Sequence, residues 1–228
     1  SAESAALETK GIVVDEAGIS MGEGLSIYAN SNGFIGQNQE SNSSMSVVAI
    51  AEQNGQMERD YWWDSVRDFN HMMPADVLGK IAANRTIERI GAKKIKSTKA
   101  PVLFDPSLSK GLVGHMLSAI SGSSLYQEAS FLKDALNTQI FPEWFEINEN
   151  PFTKGGFASK NFDNNGVATK QRNIIESGVL KGFLLSVYSA RRLGLTTTGN
   201  AGGAHNLFVK SNDISFETAL KQMGTGLY

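Results

Sequence analysis

The chain has 228 residues, and its 41% hydrophobic content is enough for one substantial core or two modest ones. Its 21 basic and 23 acidic residues give a formal charge of -2, which does not attract nucleic acid. The absence of cysteine excludes disulfides, thiolate metal ligands and a cysteine nucleophile, and it fits a reducing compartment. The longest apolar runs fall far short of the ~18 residues of a membrane span, and the first residues lack the pattern of a signal peptide. We therefore expect a cytoplasmic protein that binds neither membrane nor nucleic acid.

The first seventy residues predict β-structure. Leu25, Ile27 and Ala29 alternate along one strand, which ends in the turn SNGFIG. Asn54-Gly55 separates two further strand-like runs and predicts a tight hairpin, because both turn residues must accept positive φ. From Pro74 to Gly91 the apolar residues follow a helical spacing, which predicts a surface helix.

A basic segment at positions 92–101 indicates a domain boundary, and its four lysines are typical of a solvated linker. The sequence then predicts a short buried strand that ends near Asp105. A helix follows, on which Leu108, Leu112, Met116 and Ile120 recur every four residues. Next come a predicted second helix, Gln127 to Leu136, and a strand-like run, FPEWFEINENP.

The last third of the chain contains two turn signals, Asn165-Gly166 and Ser177-Gly178, which predict a β-meander. A short helix over 186–193 follows, and a final amphipathic helix begins with Ser215 as its cap. Strands and helices do not alternate strictly, which favours an α+β fold of mixed, mostly antiparallel sheets with flanking helices in a two-part architecture. We expect one domain over 1–98 and a second, β-rich domain over 99–228.

The histidines do not match a metallohydrolase helix of the HExxH type, which needs two histidines one turn apart and a glutamate beside the first. His115 is the single histidine on its predicted helix, and Met116 stands where the glutamate would be. We interpret His115 as a partly buried residue at the border of an apolar helix face. The three histidines, His71, His115 and His205, could form a metal site only with carboxylates from distant positions.

Other motifs give no specific chemistry. The loop TTTGNAGGAHNL, residues 196–207, has no lysine and lacks the spacing of a phosphate-binding loop. No GxSxG motif is present, although serine, histidine and aspartate could still converge from distant positions. Glu143, Glu146 and Glu149 repeat every third residue and are interpreted as a solvated strand edge rather than an acid/base pair. Trp62 and Trp63 are adjacent on a strand and must point to opposite faces, so packing between domains or a protein interface is expected there.

Several blocks resemble, in order, those of the PmbA/TldE branch of the TldD/PmbA family. They are IAEQNGQMERDYWW, LVGHMLSAISGSSLYQEASFLKD, FPEWFEI, GVATKQRNIIESGVLKGFLLSVYSARRLGL, TTGNAGGAHN and MGTGL. Members of this family are known both as peptide-maturation metallopeptidases and as modulators of DNA gyrase. Because members are longer at both ends, the resemblance implies that 1–98 is the end of the family's N-terminal domain. By the same reasoning 99–228 is the start of an incomplete C-terminal domain.

The family contains two kinds of subunit. TldD-type chains carry a HExxxH motif for a catalytic zinc or other divalent metal, whereas PmbA/TldE-type chains lack it. The helix sequence GHMLSAISG follows the second kind. The resemblance therefore implies no catalytic residue and no metal or cofactor in this chain. It also implies a TldD-like protein partner and unfolded or small peptide substrates, such as modified-peptide precursors and antitoxins.

The resemblance also indicates residues that contact a peptide or face the cavity: Thr198, Asn200, His205 and His115. An alternative is that the loop only connects two elements, with its polar side chains capping neighbouring backbone. Two other functions stay open, an autonomous hydrolase with a divergent site and a non-enzymatic regulatory protein such as a gyrase modulator. A homodimer in the partner's absence is also left open.

Overall fold

The computed structural model describes residues 1–210 and 214–228, which divide into two compact units. The first unit comprises Ser1–Ser26 and Gln37–Lys96, and the second comprises Ile27–Gly36 and Ser97–Tyr228. Residues 27–36 form the tip of a hairpin and group with the second unit, a feature that had no signal in the sequence pattern. The α+β class is confirmed, since two antiparallel sheets occur together with helices.

The first unit is a three-stranded sheet with two helices. Its elements are α1 (Ala2–Leu7), β1 (Ile12–Ala29), β2 (Ile35–Gln53), β3 (Gln56–Val66), a 3-10 turn (Phe69–His71) and α2 (Ala75–Glu88). The strand order is β1-β2-β3, and β2 and β3 are antiparallel. The predicted hairpin is confirmed: Gln53 pairs with Gln56, and Asn54 and Gly55 have φ of 51° and 74°.

Alternate residues of β2 form the core of the first unit. Val47 and Ala49 are fully buried and cluster with Leu78 and Ala82 of α2. Small side chains let α1 approach α2 closely, and a Cβ added at Gly79 would collide with the carbonyl oxygen of Ala2. The predicted helix over 74–91 is therefore confirmed as α2, and glycine in its interior allows the two helices to meet.

The second unit contains a four-stranded antiparallel sheet and four helices among its described residues. Its elements are α3 (Pro106–Ala119), α4 (Gly122–Tyr126), β4 (Glu146–Glu149), β5 (Arg172–Glu176), β6 (Val179–Leu180), α5 (Val187–Leu193), β7 (Leu207–Lys210) and α6 (Phe216–Met223). The strand order is β6-β5-β4-β7. Ile147, Ile174 and Leu180 are fully buried and pack with Ile120 at the end of α3. This core holds β4 and β5 rigidly beside the loop between α5 and β7.

Helix caps and hairpin turns of the second unit follow the sequence. Ser186 caps α5 with a reciprocal hydrogen bond to Ser189, and Ser215 caps α6 as predicted. Ser177 and Gly178 form the turn between β5 and β6, with φ of 47° and 75°. Asn165-Gly166 also lies in a turn, but an isolated bridge flanks it, not a pair of strands. The predicted meander is wrong in this respect, because β7 pairs with β4 only after a helix and a long loop.

Two other predictions for the second unit are wrong, and one is confirmed. The run that ends near Asp105 forms no strand, and its Val102 and Phe104 are about half exposed. The segment 127–136 is not a helix, because Glu128 adopts a positive φ of 60° directly after α4. The helix predicted from Leu108, Leu112, Met116 and Ile120 is confirmed as α3, in which Met116 is buried together with Ile120 at its end, whereas Leu108 and Leu112 are exposed.

The helices in the described part of the chain do not combine the length and the apolar character that a membrane-crossing helix needs.

Candidate functional site

The strand pairing of the second unit brings a carboxylate and a guanidinium together at one edge of the core. Glu149, the last residue of β4, pairs with Arg172, the first residue of β5, and with Leu207, the first residue of β7. The loop that leads into β7 therefore passes directly over Glu149. The side chain of Glu149 is only 1% exposed, so its charge must be balanced inside the protein.

Four N–H groups of described residues bind the Glu149 carboxylate. Arg172 Nε donates to Oε2 over 2.8 Å. Oε1 accepts hydrogen bonds from Asn200 Nδ2 at 2.7 Å, the His205 backbone N–H at 2.8 Å and His205 Nδ1 at 3.0 Å. Burial by itself disfavours the charged carboxylate, but the hydrogen bonds from His205 and the charge of Arg172 lower the pKa of Glu149 to about 2. Glu149 is therefore ionised at neutral pH.

Arg172 extends this network to a second part of the chain. Its Nη1 donates to the carbonyl oxygen of Phe183 at 3.0 Å, and its Nη2 donates to Asn200 Oδ1 at 2.9 Å. Asn200 Nδ2 also donates to the carbonyl oxygen of Gly203 at 3.2 Å. Because the planar guanidinium holds three partners at fixed angles, strand β5 and the loop are locked to Glu149 as one unit.

A second buried carboxylate holds the other side of the loop. Asp163 is 2% exposed. Its Oδ1 accepts from the backbone N–H groups of Asn165 and Val167, and its Oδ2 accepts from that of Ala201 at 2.9 Å. The glycine-rich loop, which has no regular secondary structure, is thus hydrogen-bonded to two carboxylates.

The four predicted peptide-contacting residues have different surroundings. Thr198 Oγ1 accepts from the Leu185 N–H at 2.7 Å and ties the loop to the start of α5, and Asn200 is buried in the Glu149 network. His205 is buried as well, but it lines a cavity. His115 lies exposed on α3, which corrects the expectation of a partly buried residue, and it lines neither cavity beside the loop. A peptide-contacting role for these residues stays a prediction.

Two cavities flank the loop. One of about 180 Å³ is lined by Phe157, Lys160, Asp163, His205 and loop residues 201–204. The other, of about 380 Å³, is lined by serines and tyrosines that include Tyr126 and Tyr188, and by Asn200 and residues 201–203. Residues 201–203 therefore form a wall common to both cavities.

A third cavity, of about 820 Å³, lies between α3, α6 and the sheet and has a mostly apolar lining, including Phe104, Phe145 and Phe216. Such a lining supplies few groups for acid–base chemistry.

Sequence reasoning missed Glu149, Arg172 and Asp163. Glu149 was interpreted as part of a solvated edge, which is wrong. A signal for its burial was present in the alternation of β4, since Ile147 is fully buried and Glu149, two residues later, points to the same face. The role of Arg172 had no comparable signal, because the partner of a buried guanidinium depends on strand pairing.

The residues present do not fit a metal ion. Glu149 and Asp163 use both carboxylate oxygens to accept hydrogen bonds from N–H groups, which compete with any cation for the same lone pairs. Within residues 1–210 and 214–228, no group of three or more His, Cys, Asp or Glu side chains is placed to hold an ion. The network therefore holds the loop in place and positions the His205 ring beside a cavity.

Comparison with known proteins identifies the family. Residues 1–90 match the model of the PmbA/TldA metallopeptidase central domain, and residues 97–228 match that of the C-terminal domain. The chain belongs to the PmbA/TldD metallopeptidase family. It is 41% identical over 228 residues to the metalloprotease PmbA of Escherichia coli O157:H7, covering 99% of this chain and 51% of that protein. It therefore spans about half the length of this relative.

Solved structures share the fold. A proposed modulator of DNA gyrase from Bacteroides thetaiotaomicron superposes with a TM-score of 0.90 at 28% identity, over 99% of this chain and 52% of that one. TldE from Thermococcus kodakarensis gives a TM-score of 0.81 at 22% identity, over 98% and 53% of the two chains, and shows likeness of fold alone. The family and fold inferred from the sequence blocks are therefore confirmed.

Proposed function

We propose that this chain is part of a PmbA/TldE-type subunit of a cytoplasmic protease whose metal-bearing subunit is a TldD-like protein. The substrates are unfolded or small peptides, as in peptide maturation and antitoxin turnover. Membership of a metallopeptidase family supports proteolysis as the activity. The partner supplies the zinc or other divalent metal that activates water, and this chain shapes the chamber and holds extended substrate.

The observation that carries the proposal is the composition of α3. Its single histidine, His115, is exposed, and the next residue is the buried Met116, where a metallopeptidase helix would carry a glutamate. The second histidine of a HExxxH motif would stand at Ile120, an apolar residue that is fully buried in the core of the second unit. A helix of this kind gives a packing surface and not a metal centre.

The polar network around Glu149 supports the same division of labour. Its hydrogen-bonding groups are used to fix the glycine-rich loop between two cavities. A rigid loop with small side chains leaves room for a peptide backbone to approach closely. On this proposal the chain contributes binding and positioning, and the chemical step belongs to the partner.

The test is cleavage of an unfolded fluorogenic peptide by the full-length protein, with and without a co-expressed HExxxH-bearing relative. Cleavage is expected only with the relative, and a chelator should remove it. A relative with glutamine in place of the HExxxH glutamate serves as the matched control and should be inactive. The His115→Ala variant of this chain should retain full activity in the complex. Efficient cleavage by this protein alone, lost in the His115→Ala variant, would overturn the proposal.

A second candidate function is regulation by binding, because a structural relative at 28% identity is named as a proposed modulator of DNA gyrase. The net charge of -2 favours a protein partner over DNA for this role. A supercoiling assay with purified gyrase tests it: a change in supercoiling rate on adding this protein, without peptide cleavage in any combination, would favour regulation.

A further inference from the structure

His205 has one ring nitrogen that the Glu149 network does not use. Nδ1 lies 3.0 Å from Glu149 Oε1, and the ionised carboxylate can only accept, so the Nδ1 position carries the proton. In the neutral ring, Nε2 then presents a lone pair, and this orientation is fixed by Glu149. Among the described residues Nε2 has no hydrogen-bond partner.

This nitrogen is accessible although the side chain is 7% exposed. In the described part of the chain, the fully buried side-chain nitrogens that lack a hydrogen-bond partner are Trp62 Nε1 and Arg85 Nε, and His205 Nε2 is not among them. His205 lines the cavity of about 180 Å³ beside the loop. His205 therefore borders a small space that a ligand group can enter.

A hydrogen-bond donor lines the same cavity. Lys160 contributes to the wall, and the described residues include no ion-pair partner for its ammonium group. Its backbone is anchored at both ends, since its N–H donates to Pro151 and its carbonyl accepts from Thr169 Oγ1 at 2.6 Å. An acceptor and a donor are thus held on the walls of one cavity.

We propose that this cavity binds one main-chain amide unit of an extended peptide. The amide N–H donates to His205 Nε2, and the neighbouring carbonyl oxygen accepts from Lys160 Nζ. The inference rests on the proposed function for the class of ligand. The volume is below the ~300 Å³ of ordinary small-molecule pockets, and it suits a peptide unit that passes the small side chains of residues 201–204.

The charges around the cavity favour an amide over an anion. Asp163 lies in its wall and carries a negative charge that would repel a carboxylate or phosphate. The charge of Glu149 is offset by Arg172 at 2.8 Å, which leaves Lys160 as the positive group facing the cavity. A neutral group with one donor and one acceptor matches this arrangement.

The experiment is a binding measurement on the full-length protein in complex with a HExxxH partner whose glutamate is replaced by glutamine. Fluorescence anisotropy of an unstructured peptide gives the Kd. A series of peptides, each N-methylated at one amide, removes the N–H donors one at a time. One of these positions is expected to weaken binding to the wild-type complex about fivefold, the value of one net hydrogen bond.

The decisive variant is His205→Asn, because the asparagine amide can still donate to Glu149 from the Nδ1 position but has no group at Nε2. It should bind the unmodified peptide about fivefold more weakly and show no further loss with the sensitive N-methyl peptide. Lys160→Gln should also weaken binding, whereas Lys154→Gln, in the same segment but outside the cavity, should not. Thermal unfolding checks that the variants are folded.

Equal N-methyl penalties in the wild type and His205→Asn, or an unchanged affinity of Lys160→Gln for the unmodified peptide, would overturn the assignment while leaving the proposed function intact. Should His205→Asn not fold, the affinities of Lys160→Gln and Lys154→Gln for the unmodified peptide still decide, because equal affinities would overturn the assignment. A complex that binds no unfolded peptide at all would overturn the proposed function itself, and the cavity assignment with it.

Discussion

Glu149 at the end of β4 and Asn200 in the glycine-rich loop are separated by 51 positions and joined by a 2.7 Å hydrogen bond. The same Asn200 side chain accepts a hydrogen bond from Arg172, which also binds Glu149. The three side chains form a closed ring of contacts, in which each residue touches the other two. Replacing any one of the three side chains leaves polar groups of the other two without partners. The contribution of these hydrogen bonds to stability can therefore be measured with single substitutions.

We predict that Glu149→Gln lowers the free energy of unfolding by about 3–5 kcal/mol, because it leaves the partly buried Arg172 guanidinium without a counter-charge. The matched control is Glu146→Gln on the same strand. Glu146 is partly exposed and pairs with Lys210 at 3.6 Å, so its replacement should cost less than about 1 kcal/mol. Urea titrations of both variants measure the difference. Equal costs would show that the network contributes no more than a surface pair.

The acid dependence of stability follows from the pKa of Glu149, which is about 2 in the folded protein against a normal value of 4.5. A depressed pKa in the folded state means that protonation favours unfolding. The contribution is therefore complete above the unfolded value and is lost as pH falls toward 2. The stability difference between wild type and Glu149→Gln should shrink by about 2 kcal/mol between pH 6 and pH 3. A difference that is constant over this window would contradict the prediction.

In the first unit, Gly79→Ala should be destabilising by about 1–3 kcal/mol, because the new Cβ would collide with the Ala2 carbonyl and push α1 away from α2. Gly114→Ala is the matched control, since it also lies inside a 14-residue helix but has open space around it. That variant should be neutral or stabilising by up to about 1 kcal/mol. Thermal unfolding separates the two outcomes, and a stabilising Gly79→Ala would show that the helices are not in close contact.

Trp62 and Trp63 should have different roles. Trp62 packs against the core of the first unit, and the Arg85 guanidinium lies 4.9 Å from the centre of its ring. Trp62→Ala should therefore reduce stability by about 2–3 kcal/mol. Trp63 is 39% exposed beside Tyr61, with ring centres 5.6 Å apart.

If this exposed pair contacts the proposed TldD-like partner, Trp63→Ala should weaken assembly at least about tenfold with little change in stability. Co-purification and size-exclusion chromatography of the complex measure the assembly. Unchanged assembly with Trp63→Ala would remove this tryptophan from the interface.

Some elements could be predicted from local sequence because short-range rules decide them. The Asn54-Gly55 hairpin, the cap at Ser215 and the helix α2 depend on residues within a few positions of one another. The predicted helix over 127–136 was wrong for the opposite reason. Its residues have suitable helix propensity, but Glu128 adopts a positive φ. After this turn, Leu132 packs in the hydrophobic core of the second unit.

The sequence by itself determined the α+β class, the family and the absence of a HExxxH motif, since these depend on composition, on short motifs and on their order. Only the tertiary structure decided that Glu149 is buried and ionised, that Arg172 and Asn200 bind it, and that His205 keeps one nitrogen beside a cavity. The physical reason is that the pKa and the partners of a buried group depend on side chains brought by strand pairing from positions 23 to 56 residues away.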